Sequence, residues 1–250
     1  MYQKICSRLA AIEREQTVQI LYAVESGSRA WGFDAPDSDY DVRFLYLRPQ
    51  SYYLRLEKTR DVLEYPIDAI WDVNGWDLQK ALRLLHASNP TLYEWLHSPI
   101  IYREAPLIAQ LRTISLEYFC PKAGVYHYLS MARNNLVREK MEGEQRIKQY
   151  FYQLRPLLAS RWILQQRTPP PVLFSELLPL LPGALLPVVE QLLAQKRQLC
   201  ERETVAAIPA LDGYLREQLS DLEIQAKKLP ASSRVGWEAL DAFFLCAFTG

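Results

Sequence analysis

The chain has 250 residues, 49% of them hydrophobic and 23% charged, enough to bury a sizeable core and too apolar for a disordered protein. Its formal net charge is zero, from 29 basic and 29 acidic residues, which excludes a surface coated in basic charge for sequence-independent nucleic-acid binding but leaves room for a local basic patch. No uncharged apolar run reaches the roughly 18 residues of a membrane span, and the opening Met1–Cys6 stretch does not read as a signal peptide, so a cytoplasmic protein with no membrane partner is expected.

In chain order, Thr17–Glu25 is rich in β-branched and aliphatic residues and ends at Ser26-Gly27-Ser28, a strand running into a turn. A short helix is expected through Arg29-Ala30-Trp31, then a second turn at 34–38. The next segment, 39–47, alternates, with Asp39, Asp41 and Arg43 on one face and Tyr40, Val42 and Phe44 on the other. Further short strands are predicted at 61–65 and 67–73. From Trp76 the pattern turns helical: Leu78, Ala81, Leu82 and Leu85 recur at helix spacing, and Asn89-Pro90 is a helix cap and first helical position. Helices are predicted at 105–119, 123–141, 144–167, 184–204, 211–229 and 235–248. Pro156 should kink or end its helix, Pro169-Pro170-Pro171 marks a break, and the proline-broken stretch 177–193 reads as packed short helices. The spacing therefore predicts a small α/β domain over 1–103 and a helical domain over 104–250.

Asp39 and Asp41 would stand on one face of a strand, their Cα atoms about 6.5–7 Å apart. Carboxylates so placed can converge on two divalent cations about 3.5–4 Å apart. Hard oxygen ligands of this kind suit Mg²⁺, or Mn²⁺, and the like charges repel without a cation. A D-x-D pair alone is more often a solvated turn. Gly27-Ser28 is the second element: glycine lets backbone approach an anion and the serine adds a hydroxyl donor, although an ordinary tight turn capped by the serine explains the same residues. Together they suit a phosphoryl-transfer site that holds a polyphosphate, neutralises it and activates an incoming hydroxyl.

The runs Ser26-Gly27-Ser28-Arg29-Ala30-Trp31-Gly32-Phe33 and Ser38-Asp39-Tyr40-Asp41-Val42-Arg43 resemble the signature of the DNA polymerase β-like nucleotidyltransferase superfamily. With Asp72–Leu82 and Ser88–Leu96 they resemble its bacterial and phage branch of nucleotidyltransferases linked to RNA repair. The resemblance implies an α+β fold: a small mixed β-sheet nucleotidyltransferase domain with flanking helices, followed by an all-α helical domain. It implies metal-dependent transfer of an NMP from an NTP to a hydroxyl acceptor (an RNA end, a small molecule or a protein), with pyrophosphate released. It also implies a third carboxylate on a neighbouring strand. Asp72 is favoured, with a helix cap as its bland alternative; Asp68 is the fallback and Glu64 ranks below both.

Arg29 and Arg43 flank this site, as phosphate contacts or as plain ion-pair partners. Tyr40 and Trp31 read as core residues rather than base-stacking platforms. Residues 133–167 hold eight Lys or Arg against three Glu, and Lys148, Tyr152 and Arg155 recur at helical spacing. The resemblance makes these three candidate contacts to the nucleotide triphosphate, although a solvated face or an RNA-backbone contact would explain them too. Cys6, Cys120, Cys200 and Cys246 lack metal or disulfide spacing and read as buried or half-buried thiols. His86, His97 and His127 read as ordinary helix histidines. A catalytically quiet binding module, such as the partner of a toxin, and a hydrolase using the same site are the competing readings.

Overall fold

A computed structural model describes residues 1–57, 59–66, 70–137, 144–230 and 235–249. The element order is α1 (Tyr2–Gln16), β1 (Gln19–Ser26), α2 (Gly27–Trp31), β2 (Tyr40–Leu47), α3 (Gln50–Tyr53), β3 (Val62–Glu64), β4 (Trp71–Asp77), α4 (Leu78–His86), α5 (Pro90–Leu96), β5 (Ile101–Glu104) and α6 (Leu107–Ser115). Then follow α7 (Pro121–Val137), β6 (Glu144–Arg146), α8 (Ile147–Gln166), α9 (Phe174–Leu177), α10 (Leu186–Lys196), β7 (Thr204–Ala206), α11 (Pro209–Lys227) and α12 (Glu238–Cys246). The α+β class is as expected, with a mixed sheet and a helical C-terminal region. No described helix is long and apolar enough to cross a membrane.

Two compact units divide the chain: Met1–Ala30, Asp39–Tyr118 and Arg234–Gly250 form the first, and Trp31–Ser38 with Phe119–Ser233 the second. The expectation of one cut after residue 103 meets an interleaved arrangement, because α12 packs against α4 and α6.

The first unit is built on a sheet of order β3-β4-β2-β1-β5, in which β2 and β4 are parallel and the other pairs antiparallel. On α1, Ile5, Leu9 and Ile12 fall at helical spacing and pack with Val42, Phe44, Tyr46 and Val73 on one sheet face. The central strand β1 is buried along nearly its whole length, as expected for a strand flanked on both edges. Strand β4 runs on to Asp77, past the Trp76 at which a helix was expected. Gly75 explains the extension: a Cβ there would lie 2.2 Å from the Phe44 ring, so its lack of a side chain lets β4 pair flat against β2. The helix then starts at Leu78, where the Asp77 carboxylate accepts from the Gln79 N–H at 2.8 Å.

In the second unit α7, α8 and α11 pack around a core that includes Val125, Tyr150, Leu154, Leu158, Ile163, Leu215 and Leu222. Pro156 lies inside α8, which continues to Gln166; Pro156 therefore does not end the helix. Residues 144–146, expected to open that helix, instead pair with β7 as a two-stranded sheet. All four cysteines are free thiols, and Cys200 and Cys246 are exposed rather than buried: Cys200 follows the end of α10, and Cys246 falls outside the buried stripe of Leu240, Phe243 and Ala247.

Candidate active site

Strand β1 delivers Glu25 and Ser26 to the bend, and β2 returns alongside it with Glu25 opposite Val42 and Ser26 opposite Asp41. Gly27 takes a left-handed φ of +62°, which favours glycine. A Cβ at that position would meet Asp41 Oδ2 at 2.0 Å. The Asp41 carboxylate therefore rests directly against the glycine backbone, and the bend and the acidic strand form one site. Ser28 is 4% exposed, so its hydroxyl belongs to the packed side of the turn.

Asp72 stands opposite Asp41 in the parallel β2–β4 register, on the neighbouring strand. The helix cap is supplied by Asp77, which leaves Asp72 out of that role. Asp39 lies just before β2 and is exposed; its charge and that of Asp72 both push the Asp41 carboxyl pKa up. Burial is the larger cause of that rise, and the nearby Arg43 opposes it. Asp68 lies outside the described residues. Glu64 is on the edge strand β3, opposite Asn74, and pairs with Arg60 at 2.8 Å.

Arg43 shares the acidic face and joins it. Its Nη2 donates to Asp41 Oδ1 at 2.9 Å and to Asp72 Oδ2 at 2.6 Å, and its Nη1 to the Asp72 carbonyl at 2.8 Å. Arg29 fixes the start of β2: its Nε donates to the Asp39 carbonyl at 3.0 Å, and its guanidinium lies 3.9 Å from the centroid of the Tyr40 ring.

Glu25 belongs to the site although the sequence pattern does not single it out. It is fully buried, accepts from the Asp41 N–H at 2.7 Å and from the Tyr102 hydroxyl, and its carboxyl pKa is pushed up to about 7, chiefly by burial. Its signal was a lone carboxylate closing an otherwise apolar strand. A cavity of about 660 Å³ lies at the other end of the same strands, lined by Gln19, Leu47 and Arg48 among others; none of the carboxylates of the cluster lines it.

Lys148, Tyr152 and Arg155 belong to the second unit. Lys148 Nζ donates to Glu201 Oε2, and Glu201 Oε1 accepts from Ser38 Oγ at 2.7 Å. Tyr152 packs edge-on to Trp31, while Arg155 is only 2% exposed, with its guanidinium 4.3 Å from the Trp31 ring. Their common face is thus largely interior rather than a solvated stripe. Lys196 was not foreseen: it is 2% exposed, with Nζ 3.9 Å from Glu201 and no hydrogen-bond partner among the described residues.

The donor chemistry of Asp39, Asp41 and Asp72 fits a hard divalent cation, since mutually coupled carboxylates demand positive charge. The position between Asp41 and Asp72 already holds a cationic group, Arg43. With that group in place, the described residues include no cluster of three or more His, Cys, Asp or Glu arranged to hold a metal.

A mixed sheet thus carries this glycine bend against aspartates held in register on neighbouring strands. The chain belongs to the RlaP family, described as the RNA repair pathway DNA polymerase beta family, whose model matches residues 1–246. It is 44% identical over 238 residues to the uncharacterized protein YcgL of Bacillus subtilis (strain 168), covering 94% of this chain and 91% of that one. It is also similar to a solved nucleotidyltransferase-like protein from Exiguobacterium sibiricum 255-15, with 18% identity, coverage of 89% of this chain and 74% of that one, and a TM-score of 0.32.

Proposed function

We propose that the protein transfers an NMP from an NTP to a hydroxyl acceptor with the help of a divalent cation, Mg²⁺ or Mn²⁺, and that the acceptor is an RNA end. The observation that carries this reading is Asp41 paired in register with Asp72 while its carboxylate rests on the Gly27 backbone. Family membership supports the reaction class, and the family's description supports RNA over a small molecule or a protein hydroxyl.

Asp39, Asp41 and Asp72 would hold the cation, which when bound supplies charge neutralisation to phosphate oxygens. Gly27 and Ser28 would meet the polyphosphate through the backbone N–H groups of the bend, since the Asp41 carboxylate fills the side-chain space of Gly27 and the Ser28 side chain is packed. Asp72 takes the acceptor hydroxyl proton as the acceptor oxygen bonds the α-phosphorus, and the bond from that phosphorus to pyrophosphate breaks. Arg29 positions Asp39 through its backbone carbonyl. Lys148 and Tyr152 remain proposed phosphate contacts, Lys148 being the one with a third of its side chain exposed, whereas buried Arg155 supports Trp31.

The test incubates the full chain with labelled NTPs, Mg²⁺ and separate pools of RNA, small molecules and proteins. Transfer to RNA is expected, with losses of at least about a hundredfold in D41N and D72N, the scale at which removing a group that stabilises or deprotonates the reacting atoms acts. No transfer, with nucleotide binding indifferent to metal and to both substitutions, sinks the proposal. Arg43 neutralising two of the three carboxylates favours a second reading, a quiet binding module. A stoichiometric copurifying protein and no labelled acceptor would select it, and free NMP without a labelled acceptor would indicate hydrolysis.

A further inference from the structure

The guanidinium of Arg43 makes four donations at once. Nη2 bonds Asp41 Oδ1 and Asp72 Oδ2, and Nη1 bonds the carbonyls of Asp72 and, at 3.2 Å, Val42. Asp41 and Asp72 occupy the same register on adjacent strands, so their charges face each other across one strand spacing of about 4.8 Å. Like charges held that close oppose pairing of β2 with β4 unless a cation lies between them. A planar fork of donors fits two carboxylates and a carbonyl together, which a point charge on a lysine does not.

The second oxygen of Asp41 has a different neighbour. Oδ2 occupies the space that a Cβ on Gly27 would fill, so Oδ1 is the oxygen turned towards Asp72, and Arg43 holds it. All three side chains are partly covered, at 16%, 25% and 30% exposure for Arg43, Asp41 and Asp72, so water screens the cluster only in part.

We propose that Arg43 is a tethered stand-in for the divalent cation: it holds Asp41 and Asp72 together in the metal-free protein and must release their facing oxygens when a cation binds. The proposal rests on the reading of that pair as metal-ligating and adds that the chain carries its own competitor for it. Guanidinium and metal are then linked reciprocally, each weakening the hold of the other. Arg43 thereby sets how much metal is needed to claim the two carboxylates.

A merely structural ion pair and a competitor predict opposite signs. Loss of a structural clamp loosens the site and weakens metal binding, whereas loss of a competitor strengthens it. The experiment is a Mn²⁺ titration of the full chain, followed by the electron paramagnetic resonance of free Mn²⁺, for wild type, R43Q and D41N. Tighter binding by R43Q, on the order of tenfold, is expected, with binding lost in D41N. In parallel, the ¹⁵N resonances of the Arg43 side chain in the wild type, assigned by their absence from R43Q or R43K, should lose their ion-paired signature at saturating Mg²⁺. Folded R43Q that binds Mn²⁺ no more tightly than wild type overturns the proposal. Should R43Q fail to fold, unchanged Arg43 resonances at saturating Mg²⁺ in the wild type overturn it equally. If D41N binds Mn²⁺ as the wild type does, the metal-ligating reading of Asp41 is what has failed, and the competition falls with it.

Discussion

Glu25 shows how much of the site's chemistry is set by one burial decision. Its carboxyl is fully covered, and its pKa moves from 4.5 to about 7 because burial disfavours the charged form more than the Tyr102 and Asp41 donors favour it. Between those values the folded state holds a proton that the unfolded chain has lost. The contribution of Glu25 to stability is therefore complete below about pH 4.5 and is lost as the pH rises through about 7. In metal-free buffer, E25Q should gain on the wild type across that window, by roughly 3 kcal/mol at pH 8 relative to pH 4.5. Denaturant unfolding at both pH values checks this, and a constant difference between the two proteins would refute it. The shared face of Asp41 and Arg43 was legible from alternation along the strand, because a period of two depends on local geometry alone. Glu25 was not, because its role comes from a hydrogen bond to the next strand and from Tyr102, far away in sequence.

Among elements, those with strong local period were the readable ones. The β1–bend–β2 unit combines apolar runs with a glycine that needs a left-handed φ, and α4 carries four buried residues at helical spacing. Strand β5 escaped notice because four residues, half of them exposed, carry little pattern, and its partner β1 lies some 80 residues earlier. The same holds for β6 and β7, three residues each. The sequence places the start of α4 early because Gly75-Trp76 resembles a helix entry, whereas contact with Phe44 keeps Gly75 in the sheet. Asp77 is the residue that begins the helix, and the Tyr53 hydroxyl donates to its other oxygen at 2.9 Å. D77A is expected to lower stability by about 1–2 kcal/mol, through the lost cap and the stranded tyrosine hydroxyl. A midpoint of denaturation equal to that of the wild type would show that the cap contributes nothing.

For the whole molecule, the unit boundary was the least legible feature, since composition shifts mark a change of texture and not the return of the chain. Helix α12 supplies Leu240 and Phe243 to the first unit, and Tyr53 lies edge-on to Phe244 and Phe248. A fragment ending at Tyr118 is expected to unfold at lower urea than the full chain and to bind a hydrophobic dye, because it lacks that cover. Coincident unfolding of the fragment and the full chain's first transition, without dye binding, would make α12 dispensable.

The order in which a ribosome releases these segments gives that arrangement a temporal meaning. Every carboxylate of the proposed centre has been made by residue 72, yet the unit that houses them gains its last helix only when residue 246 has emerged. At about 5–20 residues per second, the nascent sheet waits on the order of ten seconds or more for its final cover. Throughout that interval it carries an acidic pair whose neutralising guanidinium was synthesised two residues after the first aspartate, early enough to guard it from the start.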